Sequence, residues 1–253
     1  MESNQSNAAA LRAFRVLDYV AEQPDGCTPT QVVTALGLPK QTVHRIIAQL
    51  KLAGLLLREP GSQRVQLGAR LMRFAENILM HGHASRERHA ILQSLVDDIG
   101  ETCNLTALAG THIVYIDRVE TAWPLRVMLA AGSHVPLHAT ATGKLLLALL
   151  PKVQRERLLR VLPLRALTPA TIVDVRALRR EIEETRRRRI GINRNEHLSG
   201  LIAVAVPVML DRQRACAAVA VQAPVGRMTL EELLGYVPRM RAAADRIAAT
   251  MGG

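Results

Sequence analysis

Side chains able to contact a polyanion are concentrated between positions 40 and 49. The polar residues of this stretch all carry hydrogen-bond donors: Lys40, Gln41, Thr42, His44, Arg45 and Gln49. No Asp or Glu occurs from Gly26 to Leu57, where Lys51 adds a further cation. A surface that approaches the phosphates and base edges of DNA needs donors and cations rather than acidic side chains. The stretch therefore predicts a contact with double-stranded DNA.

A second segment, Gly132 to Lys144, leads into the apolar helix predicted from Thr142. The small residues Thr140, Ala141 and Thr142 would let a ligand approach the backbone closely. The first N–H groups of a helix have no partner within it and lie at the positive end of its dipole, which favours anions. The segment predicts either an anion site or a simple helix cap and packing turn.

Catalytic and metal-binding patterns do not fit these residues. A phosphate-binding loop would need Gly at 138 and Ser or Thr at 145, where the chain has His138 and Leu145. Pro136 interrupts the helix that would direct His134 and His138 to one zinc ion. The Gly-x-Ser-x-Gly pattern of a nucleophilic serine is absent. We therefore expect no catalytic residue, no metal site and no cofactor.

The donors at 40–49 need a scaffold, and the first 68 residues predict three helices and a short hairpin. Thr28 is a suitable N-cap in front of Pro29, and Gly37-Leu38-Pro39 separates that second helix from the third. The third helix has an apolar stripe at helical spacing, formed by Val43, Ile46, Ile47 and Leu50. This arrangement is typical of a helix-turn-helix, and the hairpin, with Arg58 and Arg64 near its tip, would be its wing. The alternative is a three-helix bundle whose polar face meets only water.

Residues 69–82 predict a linker helix between two parts of the chain. Its apolar residues Leu71, Phe74, Ile78 and Leu79 fall on one side, and Gly82 marks its end. Because an isolated helix with such a stripe would expose apolar surface, we expect it to bind a second copy of the chain.

The remainder alternates predicted strands and helices. The strands are expected at Cys103–Ala109, Ile113–Val119, Leu125–Leu129, Ala203–Met209 and Ala215–Gln222. The helices are expected at Glu87–Ile99, Thr142–Leu150, Val173–Arg189 and Leu230–Met251. Short turns between consecutive strands imply antiparallel pairing, so the second part is predicted to be an α+β sheet domain.

Length and composition restrict the class of protein. The 253 residues suffice for one large domain or two small ones, and 49% hydrophobic residues provide the cores. Aromatic residues make up only 2%, too few for a protein that stacks the bases of single-stranded nucleic acid on several rings. The sequence lacks a membrane-length apolar run and a signal-peptide pattern, and its three cysteines form no Cys-x-x-Cys pair. We expect a cytoplasmic protein with reduced thiols and no membrane contact.

The net charge of +11 also indicates a polyanionic partner, but most of the excess lies outside the predicted helix-turn-helix. Residues 1–68 hold seven basic and five acidic residues, whereas residues 152–189 hold twelve and five. The basic run Arg186–Arg189 ends a predicted helix, and Glu183 can pair with Arg187 one turn later. We interpret the run as a solvated helix end, with a second DNA contact as the alternative.

Two separate regions carry a resemblance to one family. Gly37–Arg45, followed by Gly68-Ala69-Arg70-Leu71, resembles the winged-helix domain of IclR-type transcriptional regulators. Gly132–Lys144 is similar to the effector-domain signature of that family. The second conserved block of the family resembles three segments of this chain: Arg189-Ile190-Gly191, Glu196 and Ala203–Val208. The resemblance covers nearly the whole chain.

The resemblance implies three parts: a winged helix-turn-helix over 6–68, a linker helix over 69–82, and a GAF-like effector-binding and oligomerisation domain over 83–252. It implies a sequence-specific DNA-binding regulator whose operator binding is modulated by a small organic acid. A homodimer or homotetramer would present paired recognition helices to an inverted repeat. The DNA-binding residues are then Thr28, Lys40, Gln41, Thr42, His44, Arg45, Gln49, Arg58 and Arg64.

The resemblance also assigns an effector site. Its residues are Val127, Thr140, Ala141, Thr142, Asn195, Ala203, Ala205, Ala220 and Gln222. Ala203, Ala205 and Ala220 stand where relatives can have polar residues, which predicts a roomy apolar pocket and an aromatic or otherwise apolar-bodied carboxylate. The alternative function is a GAF-like ligand-binding or catalytic domain whose winged helix contacts proteins.

Overall fold

The computed structural model describes residues 9–23, 25–59, 61–81, 85–123, 132–211 and 214–251. The chain divides into two compact units, 1–78 and 79–253. None of the described helices is both long and apolar enough to cross a membrane.

The first unit is a winged helix-turn-helix. Its elements are α1 (Ala9–Ala21), α2 (Pro29–Leu36), α3 (Lys40–Leu52), β1 (Leu56–Arg58), β2 (Val65–Leu67) and the start of α4 (Ala69–His81). Thr28 caps α2 in a capping box with Gln31, as expected of an N-cap, and Gly37 ends the helix with a left-handed φ of 62°. Strands β1 and β2 pair antiparallel and form the wing.

The core of the first unit lies under the predicted stripe of α3. Val43, Ile46, Ile47 and Leu50 are all buried and pack with Val16, Val20, Val32, Leu56 and Val65. The helix-turn-helix predicted from the spacing of these residues is confirmed. Its core consists of aliphatic side chains, so the polar residues of α3 are left for the surface.

The second unit is built on one six-stranded antiparallel sheet. Its helices are α5 (Ser85–Ile99), α6 (Ala141–Leu149), α7 (Lys152–Val161), α8 (Val175–Arg188), α9 (Leu230–Gly235) and α10 (Val237–Ala249). Its strands are β3 (Thr102–Ala109), β4 (His112–Val119), β5 (His134–Pro136), β6 (Gly191–Arg194), β7 (Leu201–Met209) and β8 (Ala215–Pro224). The strand order is β5-β4-β3-β8-β7-β6.

The two faces of this sheet hold different cores. On one face Val204 and Val206 of β7 pack with apolar residues of α5 and α10. On the other face Ala203 and Ala205 of the same strand pack with α6 and α8. Alternate side chains of a strand point to opposite faces, so β7 presents valines to one layer and alanines to the other. The small residues let α6 lie close to the sheet.

Several elements depart from the sequence expectations. The short strands β5 and β6 were not predicted, because three or four residues carry little periodicity. Helix α7 was not predicted either, because it is mostly polar and Leu159 is its one buried residue. The helix expected over Leu230–Met251 is divided at Tyr236, where Pro238 in the first turn of α10 has no N–H for a continuous helix. The strand expected at Leu125–Leu129 lies within 124–131, outside the described residues.

Candidate functional site

The polar face of α3 is exposed as the DNA-contact prediction requires. Lys40, Gln41, His44, Arg45 and Gln49 are exposed and Thr42 is half-buried. Helix α3 has neither a side-chain cap nor an acidic residue in its first turn. Its amino-terminal N–H groups and Lys40 are therefore available together for a phosphate.

The other predicted DNA-binding residues have partners inside the protein. Arg58 Nε donates to the Ser62 carbonyl at 2.8 Å, and Arg64 Nη1 donates to the Gly26 carbonyl at 2.8 Å. The Thr28 hydroxyl accepts the Gln31 amide at 3.3 Å. These bonds shape the wing and the start of α2. Because a guanidinium has five N–H donors, each arginine keeps others for phosphate.

The basic run of α8 is tied to its own helix. Arg186 forms a two-bond pair with Glu183, while Arg187 and Arg188 both pair with Glu184. The expected Glu183–Arg187 pair is therefore replaced by pairing with Arg186. These exposed pairs support the interpretation of the run as a solvated helix end.

A cavity lies between the start of α6 and the alanine-bearing face of the sheet. Its lining residues are Asn104, Thr106, Tyr115, Thr140, Ala141, Thr142, Asn193, His197, Leu201, Ala203, Ala220 and Gln222. The predicted effector residues are thus brought together, apart from three: Ala205 is buried in the core under α6, Asn195 is not among the lining residues, and Val127 lies outside the described residues.

The character of this cavity differs from the expected roomy apolar pocket. Its volume is about 20 Å³, and eight of its twelve lining residues have a polar side chain. Because the alanines of β7 and β8 are small, α6 packs close to the sheet and little open space is left between them. A ligand of more than a few atoms must therefore separate α6 from the sheet, and it will then contact hydrogen-bonding groups.

The first turn of α6 forms one wall. The Thr140 hydroxyl accepts the Gly143 amide at 3.1 Å and donates to the Pro136 carbonyl at 2.8 Å. Since this cap uses the Gly143 amide, the amides of Ala141 and Thr142 are left for a ligand. These two residues are 3% and 5% exposed, so an anion here would be shielded from water.

Two glycines allow this wall to form. A Cβ at Gly191 of β6 would collide with the Ala141 carbonyl, and a Cβ at Gly143 would collide with the backbone of Leu137. Glycine at both positions lets the strand and the preceding loop approach the first turn of α6 closely.

The opposite wall contains polar residues that the sequence prediction missed. Asn104 and Thr106 lie two residues apart on β3, and both line the cavity. The side chain of Arg118, 4% exposed, donates to Asn104 Oδ1 at 2.7 Å. Polar residues at alternate positions of an otherwise apolar strand were the available signal, because they share one face.

The turn after β6 supplies a further residue, His197. The neighbouring residue, Glu196, is held by two contacts. The buried Lys144 ammonium lies 2.7 Å from Glu196 Oε1, and the Thr171 hydroxyl donates to the Glu196 backbone carbonyl at 2.6 Å. Burial raises the pKa of Glu196, and the Lys144 charge opposes that rise. Burial, with the nearby His138, lowers the pKa of His197. The surroundings of His197 thus favour its neutral form, and the turn that carries it is held by the contacts of Glu196.

Comparison with known proteins agrees with this architecture. The family model described as bacterial transcriptional regulator IclR C-terminal matches residues 77–249, and a MarR family model matches residues 10–64. The probable transcriptional regulator SauR of Cupriavidus necator is 54% identical over 248 residues, which cover 98% of each chain.

More distant relatives match over similar lengths. The transcriptional repressor IclR of Escherichia coli is 26% identical over 96% of this chain and 89% of its own. The crystal structure of Thermotoga maritima IclR has a TM-score of 0.64 and 26% identity, covering 96% of this chain and 98% of its own. The Cupriavidus and Escherichia relatives are named as a transcriptional regulator and a transcriptional repressor. With a helix-turn-helix in the first unit and an IclR C-terminal domain in the second, this chain belongs to the IclR family of transcriptional regulators.

Proposed function

We propose that α3 and the wing bind operator DNA and that a small carboxylate in the cavity at the start of α6 modulates this binding. The observation that carries the effector assignment is the buried first turn of α6, where Ala141 and Thr142 line a cavity together with polar residues. A cavity this narrow must widen on binding, so the effector would favour a different arrangement of α6 or of the turn after β6.

The DNA-binding roles follow from position on α3. Lys40, at the first position of the helix, would meet a phosphate, and Arg45 on the exposed face would reach a base edge in the major groove. The same proposal includes a cytoplasmic location and three parts of the chain: the winged helix-turn-helix over 6–68, the linker helix over 69–82 and the effector-binding domain over 83–252.

We also propose that α4 joins two copies of the chain over an inverted repeat. Phe74 and Ile78 lie one helical turn apart on α4 and are 59% and 53% exposed. Burying both against a second copy would remove them from water. Replacing both with Lys should lower the mass found by sedimentation and weaken operator binding, whereas an Asn77→Lys control should do neither. A double variant of unchanged mass would disprove this assignment.

The effector assignment is tested with acids and their esters. Propionate and benzoate should raise the melting temperature of the full chain more than their methyl esters do, because the esters lack the charge that the α6 amides favour. Propionate should exceed benzoate, since the cavity is small. Equal stabilisation by acids and esters would exclude an anion site.

A backbone variant locates the site. Ala141→Pro removes one amide donor, while the first helical position tolerates proline and Thr140 already has the extended φ and ψ of −117° and 149° that a following proline requires. This variant should fold and lose the response to acid. Ala141→Gly keeps the N–H and should respond like the natural chain.

A further inference from the structure

Two amide side chains on the sheet wall of the cavity share one guanidinium. Asn104 Oδ1 accepts from Arg118 Nη1 at 2.7 Å. With the Gln222 amide oriented so that its oxygen faces the guanidinium, that oxygen accepts from Arg118 Nη2 at 3.0 Å and from Nη1 at 3.1 Å. Since each amide has one oxygen and one NH₂ group, both NH₂ groups are turned away from the cation.

These NH₂ groups belong to the cavity. Asn104 and Gln222 lie on neighbouring strands, where Asn104 pairs with Ala220 and Thr102 pairs with Gln222, so both side chains stand on the face covered by α6. Among the described residues, the hydrogen bonds of Asn104 and Gln222 to Arg118 use only the amide oxygens. The sheet wall thus offers two donors opposite the amides of α6.

The charge of Arg118 does not itself reach a ligand. Glu120 Oε1 lies 3.2 Å from Arg118 Nε, and the arginine side chain is 4% exposed. The carboxylate offsets the charge of the guanidinium, and the surrounding residues cover it. Arg118 is therefore a positioning residue that acts through the two amides.

We infer that Arg118 holds Asn104 and Gln222 as a second set of donors, and that this set selects compact acids with a second oxygen acceptor, such as a short dicarboxylate. The inference rests on the proposed effector site at α6. One carboxylate would bind the α6 amides, and the second acceptor would take the NH₂ groups on the sheet. An acid with one polar end would leave these buried donors without partners, which disfavours it strongly.

The test is calorimetric titration of the full chain with propionate, malonate and succinate at one salt concentration. The better of the two diacids should bind at least about tenfold more tightly than propionate. Gln222→Met keeps the length of the side chain and removes the donor, so it should reduce this ratio to about twofold or less. Arg118→Lys, whose single ammonium cannot hold both amides, should give an intermediate ratio. Gln93→Met on α5, outside the cavity, is the matched control.

Several outcomes would overturn the inference. If the natural chain bound propionate as tightly as either diacid while rejecting its methyl ester, the α6 site would stand and the second donor set would fall. If Gln222→Met weakened all three acids by one factor, Gln222 would have only a structural role. If no acid bound, both this inference and the proposed effector site would be wrong.

Discussion

Helices α3 and α6 both begin at a turn rich in small residues or proline, yet they present opposite surfaces. Helix α3 buries one stripe and exposes its donors, whereas Ala141 to Ala148 of α6 are buried on all sides. The exposed side chains of α3 would make most of its contacts with DNA, whereas a ligand of α6 would meet backbone amides and the residues packed around them. Changes at α3 should therefore alter affinity alone, while changes around α6 should alter stability and ligand response together.

The largest effect is expected at the buried charges beside α6. Lys144 is completely buried and its ammonium lies 2.7 Å from Glu196 Oε1 and 3.1 Å from Glu181 Oε1. Lys144→Met would leave a buried carboxylate without its partner and should lower the free energy of unfolding by about 3–5 kcal/mol. Chemical denaturation measures this. The double variant with Glu196→Gln should recover part of the loss, and a double variant as unstable as the single one would contradict the pairing.

A smaller loss of stability is expected at the contact between β6 and α6. Gly191→Ala would force its Cβ against the Ala141 carbonyl, at a cost of about 1–3 kcal/mol, and would displace the amides of the proposed anion site. Gly235→Ala is the matched control, because no atom lies within 4 Å of a Cβ there. Thermal melts with and without acid would show both effects. A stable Gly191→Ala chain with a normal acid response would refute the close-approach argument.

This contrast explains how far the sequence could be interpreted. The stripe of α3, the cap at Thr28 and the sheet of the second unit follow from periodicity and turn residues, which are local. The lining of the cavity depends on the register of the strands. Gln222 lines the cavity because β8 pairs with β3 and β7, and Asn104 is held there by Arg118, which donates to it from β4. The sequence prediction assigned Asn195 to the effector site, whereas Asn193 and His197 line the cavity. Sequence alone could not separate these neighbours, because long-range contacts such as that of Lys144 with Glu196 set the direction of side chains in a turn.

At α3 the expected losses are in DNA affinity alone. Arg45→Ala should weaken operator binding by about 1–3 kcal/mol and relax specificity at one base pair. Lys40→Ala should weaken binding to all sequences and reduce the slope of log affinity against log salt by about one. Fluorescence anisotropy with specific and random DNA separates the two, and melting temperatures should not change. Unchanged operator affinity in both variants would exclude α3 as the recognition helix.

The smallest effect concerns pH. Burial holds the pKa of His197 below its ordinary value near 6.5, so the free protein carries a neutral imidazole at neutral pH. A bound anion favours the charged imidazole and therefore raises the pKa of His197 in the complex. The resulting gain in affinity for the acid is complete below the pKa of the free protein, and it is lost as pH rises through the pKa of the complex. Acid binding should therefore tighten as pH falls through the pKa of the complex. His197→Gln should flatten this profile, and an unchanged profile would remove His197 from the effector site.

The coupling between the two regions is the central claim, and one titration tests it. Operator affinity of the full chain is measured by anisotropy at fixed salt, with DNA flanking its own gene, while malonate or succinate is added. The account predicts that the acid changes the affinity at least about tenfold, and that Ala141→Pro binds the operator normally without responding. Ala141→Gly should respond like the natural chain. An acid response retained in full by Ala141→Pro, or operator affinity indifferent to every acid tested, would contradict the account.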